Sequence, residues 1–331
     1  MRVYSGVPVF STVNFVARSL DMVRASTGAL DFDQLLGWRL KDGIGTPESG
    51  FSTTHLGIRN NDSARTPLST KGVLAVGDSF TAGSGVRDEE TWPARLEQQI
   101  GKSVINGACG AWGVDQMVLR AEMLSETLAP STIIVGILAQ DSLRNSYDLY
   151  GGAFKPWFRV IDGKPELQGV PVPRFENSAN NLTKLQSVFG HSWLVQWTMN
   201  RLGLLDRWVD NSSRYRTVMS NEDGVAVSCA LMQRLESLKN RYGSKIIVVL
   251  HWSAQESSEI KAPWYGPPVI ECARKAGFGT LDLYPVLHEI SKSDPNRFKR
   301  LWLDENGVLG HPSPEGNTIT AKLLHEQFFA R

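Results

Sequence analysis

Cysteine is scarce in this 331-residue chain: only Cys109, Cys229 and Cys272. They are odd in number and scattered, with no CxxC or zinc spacing, so neither a disulfide framework nor a metal knot is expected. No stretch approaches the roughly 18 apolar residues of a spanning helix, so no membrane span is expected. The charges nearly cancel, 35 Lys and Arg against 34 Asp and Glu, which leaves no basic field to hold nucleic acid. Basic runs, acidic tails, internal repeats and low-complexity tracts are all missing. The N-terminus makes a poor signal peptide, because Ser5, Ser11, Thr12 and Asn14 interrupt its apolar residues. The compartment stays open: cytoplasmic, or exported if a leader has been removed. What remains is 41% hydrophobic and 21% charged, the composition of a globular protein able to bury a core.

The stretch around which the chain is organised is Lys71–Arg87, KGVLAVGDSFTAGSGVR. Gly72-Val73-Leu74-Ala75-Val76 reads as a buried parallel strand running into Gly77-Asp78-Ser79. Such a strand delivers its last residues to the carboxyl edge of an α/β sheet, where ligand sites lie. Ser79 is therefore a candidate nucleophile. The alternative is a turn in which Asp78 and Ser79 only cap the next helix.

Residues 1–70 have a different texture, rich in Gly, Ser and Thr. Val13–Val23 is expected as a helix; Leu36–Leu40 and Phe51–Arg59 are expected as strands of a small β-rich attachment. From Gly72 the rhythm becomes strand, loop, helix. Further strands are expected at Ser103–Asn106, Ser131–Leu138, Lys245–Leu250 and Gly279–Leu283, with helices at Glu89–Gln99, Asp115–Leu128, Val225–Arg241, Val269–Ala276 and from Ser313 to Phe329. Residues 146–225 break this rhythm and read as an insertion, with a helix over Asn181–Leu205 carrying Trp193 and Trp197, and Trp208 just beyond. The division expected is thus 1–70 and 71–331, with the insertion at about 146–225. Strands separated by helices imply a parallel sheet covered on both faces.

Three loops converge on the carboxyl edge: Gly77-Asp78-Ser79, Cys109-Gly110-Ala111 and Gln140-Asp141. Gly310-His311-Pro312-Ser313 precedes the last helix. Acyl transfer needs such a set. A serine hydroxyl is a weak nucleophile until a base takes its proton, and a neutral histidine with a pKa near ~6.5 is that base. The tetrahedral oxyanion needs donors already aimed at it, which glycine-loop N–H groups and a side-chain amide supply.

These four segments resemble the blocks of the SGNH (GDSL-type) hydrolase superfamily. Gly77-Asp78-Ser79-Phe80 resembles the first, Asn106–Gln116 (NGACGAWGVDQ) the second, Ile137-Leu138-Ala139-Gln140-Asp141 the third and Gly310–Gly316 (GHPSPEG) the fifth. The resemblance covers Gly72 to the C-terminus apart from the insertion, and Leu36–Arg39 and Leu56–Arg59 are similar to lead-in segments of some bacterial members. It implies a flavodoxin-like, three-layer αβα sandwich with about five parallel strands. It implies a Ser79–His311 acyl-enzyme mechanism, with an oxyanion hole made from the N–H groups of Ser79 and of Gly110 or Ala111 and from the Gln140 amide. No metal or organic cofactor is implied.

Three departures stand out. Ala111 aligns with the usual oxyanion glycine, which is harmless if its φ stays negative. Gln140 replaces an asparagine. The acid normally two or three residues before the histidine is missing, since Val308 and Leu309 stand there. Asp304 is the nearest acid considered for His311, Asp282 is a second, and a Ser-His dyad is a third possibility. The remaining histidines read as surface or packing residues, and Cys109 as a small buried filler. The tryptophans read first as core aromatics, with a sugar-stacking platform as the alternative. The function expected is a serine esterase acting on short acyl or acetyl esters of small molecules or carbohydrates. An O-acyltransferase using the same residues, or a non-catalytic binding protein on a decayed hydrolase frame, are the alternatives.

Overall fold

Three long apolar runs form the middle of the sheet. In the computed structural model, which describes residues 28–46, 49–62, 70–174, 185, 189, 192–204, 215–305 and 307–330, five strands lie parallel. They are Val73–Gly77 (β1), Val104–Asn106 (β2), Thr132–Leu138 (β3), Lys245–His251 (β4) and Gly279–Asp282 (β5), side by side in the order β2-β1-β3-β4-β5. β1 and β3 are buried at every residue and β4 at all but Lys245. A run without polar alternation suits a strand covered on both faces. Val114–Leu128, Asn221–Tyr242 and Gly266–Lys275 pack together as one helical layer, and Trp92–Ile100 and Pro314–Leu324 as the other, as right-handed crossovers from this strand order require. The architecture is a three-layer αβα sandwich with the flavodoxin-like strand order, whose switch point lies between β1 and β3.

Two glycines bring β1 and β3 to a common end. Gly77 faces Gly136 across the pairing. A Cβ on Gly77 would lie 2.1 Å from Thr81 Oγ1, and one on Gly136 2.3 Å from the same atom. The pair leaves the hole into which the buried Thr81 side chain fits. The short helix Ser79–Ala82 can therefore seat directly on the sheet.

The chain divides into two compact units. The larger comprises Arg39–Ser146, Trp157–Gln168 and Met219–Arg331; the smaller takes the described residues among Met1–Trp38, Tyr147–Pro156 and Gly169–Val218. In the smaller unit Tyr147–Tyr150, Ala153–Phe154 and Arg216–Thr217 form a three-stranded sheet, Arg216 pairing with Asp148 through two hydrogen bonds of 2.7 and 2.5 Å. Within the expected Asn181–Leu205 a helix runs over Trp193–Arg201; positions 181–184, 186–188, 190, 191 and 205 lie outside the described residues. The helix expected at Val13–Val23 and the position of Trp208 lie outside the described residues.

The expected Phe51–Arg59 strand is two short ones, Thr53–Thr54 and Ile58–Arg59, added antiparallel to the β2 edge of the main sheet. The break falls at His55–Gly57, where Leu56 and Gly57 both have φ of 63°. A Cβ on Gly57 would sit 2.1 Å from Leu40 O. The edge strand carries Arg59 into the interior with its side chain fully buried. Its Nε donates to Asp88 Oδ1 at 2.8 Å, and its Nη groups donate to the carbonyls of Ala82, Gly83 and Val86. A buried guanidinium with every fork engaged is the form in which such a charge is tolerated. No helix among the described residues is long and apolar enough to cross a membrane.

The cysteine expectation is overturned. Cys229 and Cys272, 43 residues apart, form a disulfide between the helices Asn221–Tyr242 and Gly266–Lys275. Linear spacing concealed it because the pairing arises only when these helices pack side by side. Cys109 is free and fully buried, and burial pushes its thiol up to about 12, as suits a packing residue.

Closing a loop of this length is worth about 4 kcal/mol in the chain-entropy account. Urea unfolding with and without reductant should show a loss of that order, and coincident curves would show that the bridge does not constrain the chain. A second outcome concerns His251, buried at the end of β4 against the rings of Phe80 and Trp92. Desolvation lowers its pKa to about 3. The unfolded chain protonates this ring near ~6.5. Between these values the unfolded state binds the extra proton, so stability falls with pH from 6.5 toward 3, by up to about 1.4 kcal/mol per unit. His251→Asn should flatten that slope by about one proton; an identical slope in both proteins would contradict a buried neutral ring.

Candidate active site

The site forms where β1 ends. Asp78 stops the strand and caps the next turn, its Oδ1 accepting from Phe80 N at 2.9 Å. Gly83 closes that turn in the left-handed region (φ 78°), and the N–H groups of Gly83 and Ser84 both donate to Ser79 O. Ser79 is thereby held from both sides, and its hydroxyl is half-buried.

His311 reaches Ser79 from a hairpin of Trp302–Asp304 and Leu309–Pro312. Its Nε2 lies 2.9 Å from Ser79 Oγ, and its Nδ1 lies 2.6 Å from Glu305 Oε1. With a carboxylate on Nδ1, the ring carries its proton there and leaves Nε2 to accept from Ser79 Oγ–H. Asp78 Oδ2 is a longer alternative acceptor for that hydroxyl at 3.4 Å. Glu305 also accepts from His311 N at 3.1 Å. Burial pushes its carboxyl up, but the two bonds from His311 outweigh this and leave it below the usual glutamate value. Gly310 makes room for the contact, because a Cβ there would stand 2.3 Å from the Glu305 carboxyl carbon.

The carboxylate facing His311 is thus Glu305, and Asp304 is elsewhere. Asp304 Oδ1 accepts from Gly307 N at 2.7 Å and closes the hairpin turn. Asp282 is also engaged elsewhere, accepting from Trp252 Nε1 at 2.8 Å and Tyr284 N at 2.9 Å. Counting residues back from His311 missed Glu305 because a hairpin, not a short loop, joins the two. The available signal was Asn306-Gly307, a two-residue turn pair: folding the chain there sets Glu305 across from the residues leading into His311.

The second loop follows β2. Asn106 Nδ2 donates to Thr81 O at 3.0 Å, and Cys109 N to Gly77 O at 3.2 Å, so this loop is tied to the turn that carries Ser79. Gly110 faces Ser79: a Cβ built on it would lie 3.8 Å from Ser79 Cβ. Ala111 departs from expectation, with φ of +64°, a conformation that crowds its Cβ against the next carbonyl. The third loop follows β3. Asp141, fully buried, takes Leu138 N at 2.8 Å. Burial drives its pKa well above the usual aspartate value, with Arg144 acting in the opposite sense. Gln140, just before, is exposed in helical backbone geometry. Of the sequence candidates, Ser79, His311 and Gly110 converge at the β1 end. Trp112 and Trp252 are buried, whereas Trp264 is exposed. Among the described residues no His, Cys, Asp or Glu cluster is arranged to hold a metal ion.

No family model and no curated protein matches the chain. Among solved structures it is similar to Axe2, an acetylxylan esterase from Geobacillus stearothermophilus, at 14% identity over 80% of this chain and 97% of that one, with a TM-score of 0.43. It is similar to the psychrotrophic esterase EstA from Pseudoalteromonas sp. at 10% identity, 78% and 96% coverage and a TM-score of 0.42. A third is LAE5, an α/β hydrolase enzyme from the metagenome of Lake Arreo, Spain, at 12% identity, 78% and 95% coverage and a TM-score of 0.45. The chain resembles the SGNH hydrolases in the order of its blocks and in the sheet edge to which its own fold delivers them.

The left-handed conformation at Ala111 costs roughly 1–2 kcal/mol in an L-residue, against about 0.4–1 kcal/mol that alanine saves in the unfolded chain. Ala111→Gly should therefore stabilise the protein slightly, read as a higher urea midpoint. A lower midpoint would mean that the loop does not hold this φ in solution.

Proposed function

We propose that the protein is a serine esterase cleaving carboxylic esters with short acyl groups, acetyl above all, from small molecules or carbohydrates. The observation that carries this reading is the unbroken chain Ser79 Oγ, His311 Nε2, His311 Nδ1, Glu305 Oε1, with separations of 2.9 and 2.6 Å across its two hydrogen bonds. Each link meets a requirement of nucleophilic catalysis: a hydroxyl, a base within reach, and a carboxylate that fixes the tautomer.

In this mechanism Ser79 Oγ attacks the ester carbonyl carbon as its proton passes to His311 Nε2. The carbonyl oxygen takes the negative charge. It is held by the N–H groups of Ser79 and of Gly110 or Ala111, with the Gln140 amide as a further donor. As the carbon–oxygen bond of the leaving alcohol breaks, His311 returns the proton to that oxygen. Water then attacks the acyl-serine by the same relay and releases the acid. Glu305 stays ionised and stabilises the imidazolium. Closely set loops, with Gly110 packed near the Ser79 Cβ, favour a small acyl group. The binding-protein alternative rested partly on a missing acid beside His311, and Glu305 occupies that place.

Release of p-nitrophenol from p-nitrophenyl acetate tests this. Wild type should turn over and Ser79→Ala should not. Glu305→Gln should lose up to about 10⁴ in kcat by comparison with the triad carboxamide variant, while Asp304→Asn stays within about threefold, as an exposed turn residue should. Equal rates from wild type and Ser79→Ala would sink the esterase reading. A larger loss at Asp304 than at Glu305 would reassign the carboxylate.

A further inference from the structure

Three loops leave β1, β2 and β3 at the same edge, and one guanidinium touches all three. Arg144, at the end of the short helix Asp141–Arg144, donates from Nη1 to Trp112 O at 2.9 Å. The same nitrogen lies 2.6 Å from Asp141 Oδ1 and 3.5 Å from Asp78 Oδ2. The two carboxylates are fully buried, and the arginine side chain is only 11% exposed. Each carboxylate fixes its own loop with its other oxygen, Asp78 through Phe80 N and Asp141 through Leu138 N. The arginine touches all three loops at once, beside the direct bond of Cys109 N to Gly77 O between the first two.

The contact with Trp112 bears on the second loop most. Trp112 follows Ala111, whose positive φ an L-residue does not adopt unaided. The Trp112 ring is buried below and its carbonyl is clasped by Arg144. Between these anchors and the Cys109 N bond to Gly77 O, the Gly110–Ala111 peptide has its orientation set.

We propose that Arg144 is a positioning residue which, by clasping the Trp112 carbonyl, aims the N–H of the Gly110–Ala111 peptide, that of Ala111, at the space beside Ser79. Its effect on rate rests on the acyl-enzyme reading above; its effect on the loop does not. The competing role is charge compensation alone, in which any cation between Asp78 and Asp141 would serve. Lysine separates the two. It keeps the positive charge that the buried carboxylates need, but its stem is one atom shorter than the arm that carries Nη1, so its ammonium does not reach the Trp112 carbonyl while it stays beside Asp78 and Asp141.

The test is Arg144→Lys, read by backbone hydrogen exchange and by steady-state kinetics. Exchange of the amides in residues 108–113 should rise by at least about tenfold while the β1 and β3 amides keep their protection. For p-nitrophenyl acetate, kcat should fall by about 10²-fold, as a small misplacement of aligned groups costs, with KM changed by less than about twofold, since only transition-state contacts are lost. Arg144→Met serves as the control in which charge and donor are both removed, and it should lose global stability as well. Native exchange in residues 108–113 of Arg144→Lys would overturn the proposal and leave Arg144 as a counter-charge. If wild type itself does not hydrolyse the ester, the exchange result still decides the clasp, and it is the esterase reading that falls.

Discussion

The parallel pairing of β1 with β3 sets the geometry of the sheet edge that carries the site. It places Gly77 opposite Gly136, and the missing side chains admit Thr81 against the sheet. Any larger residue at either position would lift the Ser79–Ala82 turn off the strand ends. Asp78 and Gly83 could then no longer hold Ser79 from its two sides. The switch point of the sheet and the seat of the candidate nucleophile are thus one geometric fact. Backbone polar groups at the strand ends find partners in the loops, so the edge is ordered before any ligand arrives.

Buried charge then ties the loops together. Arg59 fastens the turn after Ser79 through the carbonyls of Ala82, Gly83 and Val86. Arg144 joins the loops after the first three strands. Both arginines share their charge with buried aspartates, Asp88 in one case and Asp78 with Asp141 in the other. Burying a charge is costly unless it is paired and hydrogen-bonded, so these clusters add more to uniqueness of placement than to net stability. His311 is held differently, on a partly exposed hairpin where Glu305 is 44% exposed. His311 and Glu305 therefore sit at the solvent side, while Ser79 and its loops sit against the buried sheet edge.

Much of the fold was legible in the chain because its signals are local. Buried runs at Val73–Gly77, Thr132–Leu138 and Lys245–His251 show as unbroken apolar stretches, and Ser313-Pro314 announces the last helix. The same holds for Ser79 and His311, which stand next to element boundaries. What was misread depended on chain reversals or on distant neighbours. Phe51–Arg59 looked like one strand because nothing local reveals that Leu40 O crowds Gly57. Cys229 and Cys272 looked unrelated because helix packing supplies their proximity.

The parallel sheet, the serine at the end of its first strand and the histidine before its last helix can be read from the chain, since periodicity and boundary residues encode these within a few positions. Which acid faces His311, the left-handed turn at Ala111 and the reach of Arg144 to three loops emerge only once the chain is folded. Each of these is set by contacts between segments far apart in the chain, or by a hairpin register that reverses the order in which residues meet. A one-residue difference, Asp304 or Glu305, sends a side chain to the turn or to the imidazole, because the strand ends at Asp304 and the chain reverses directly after it.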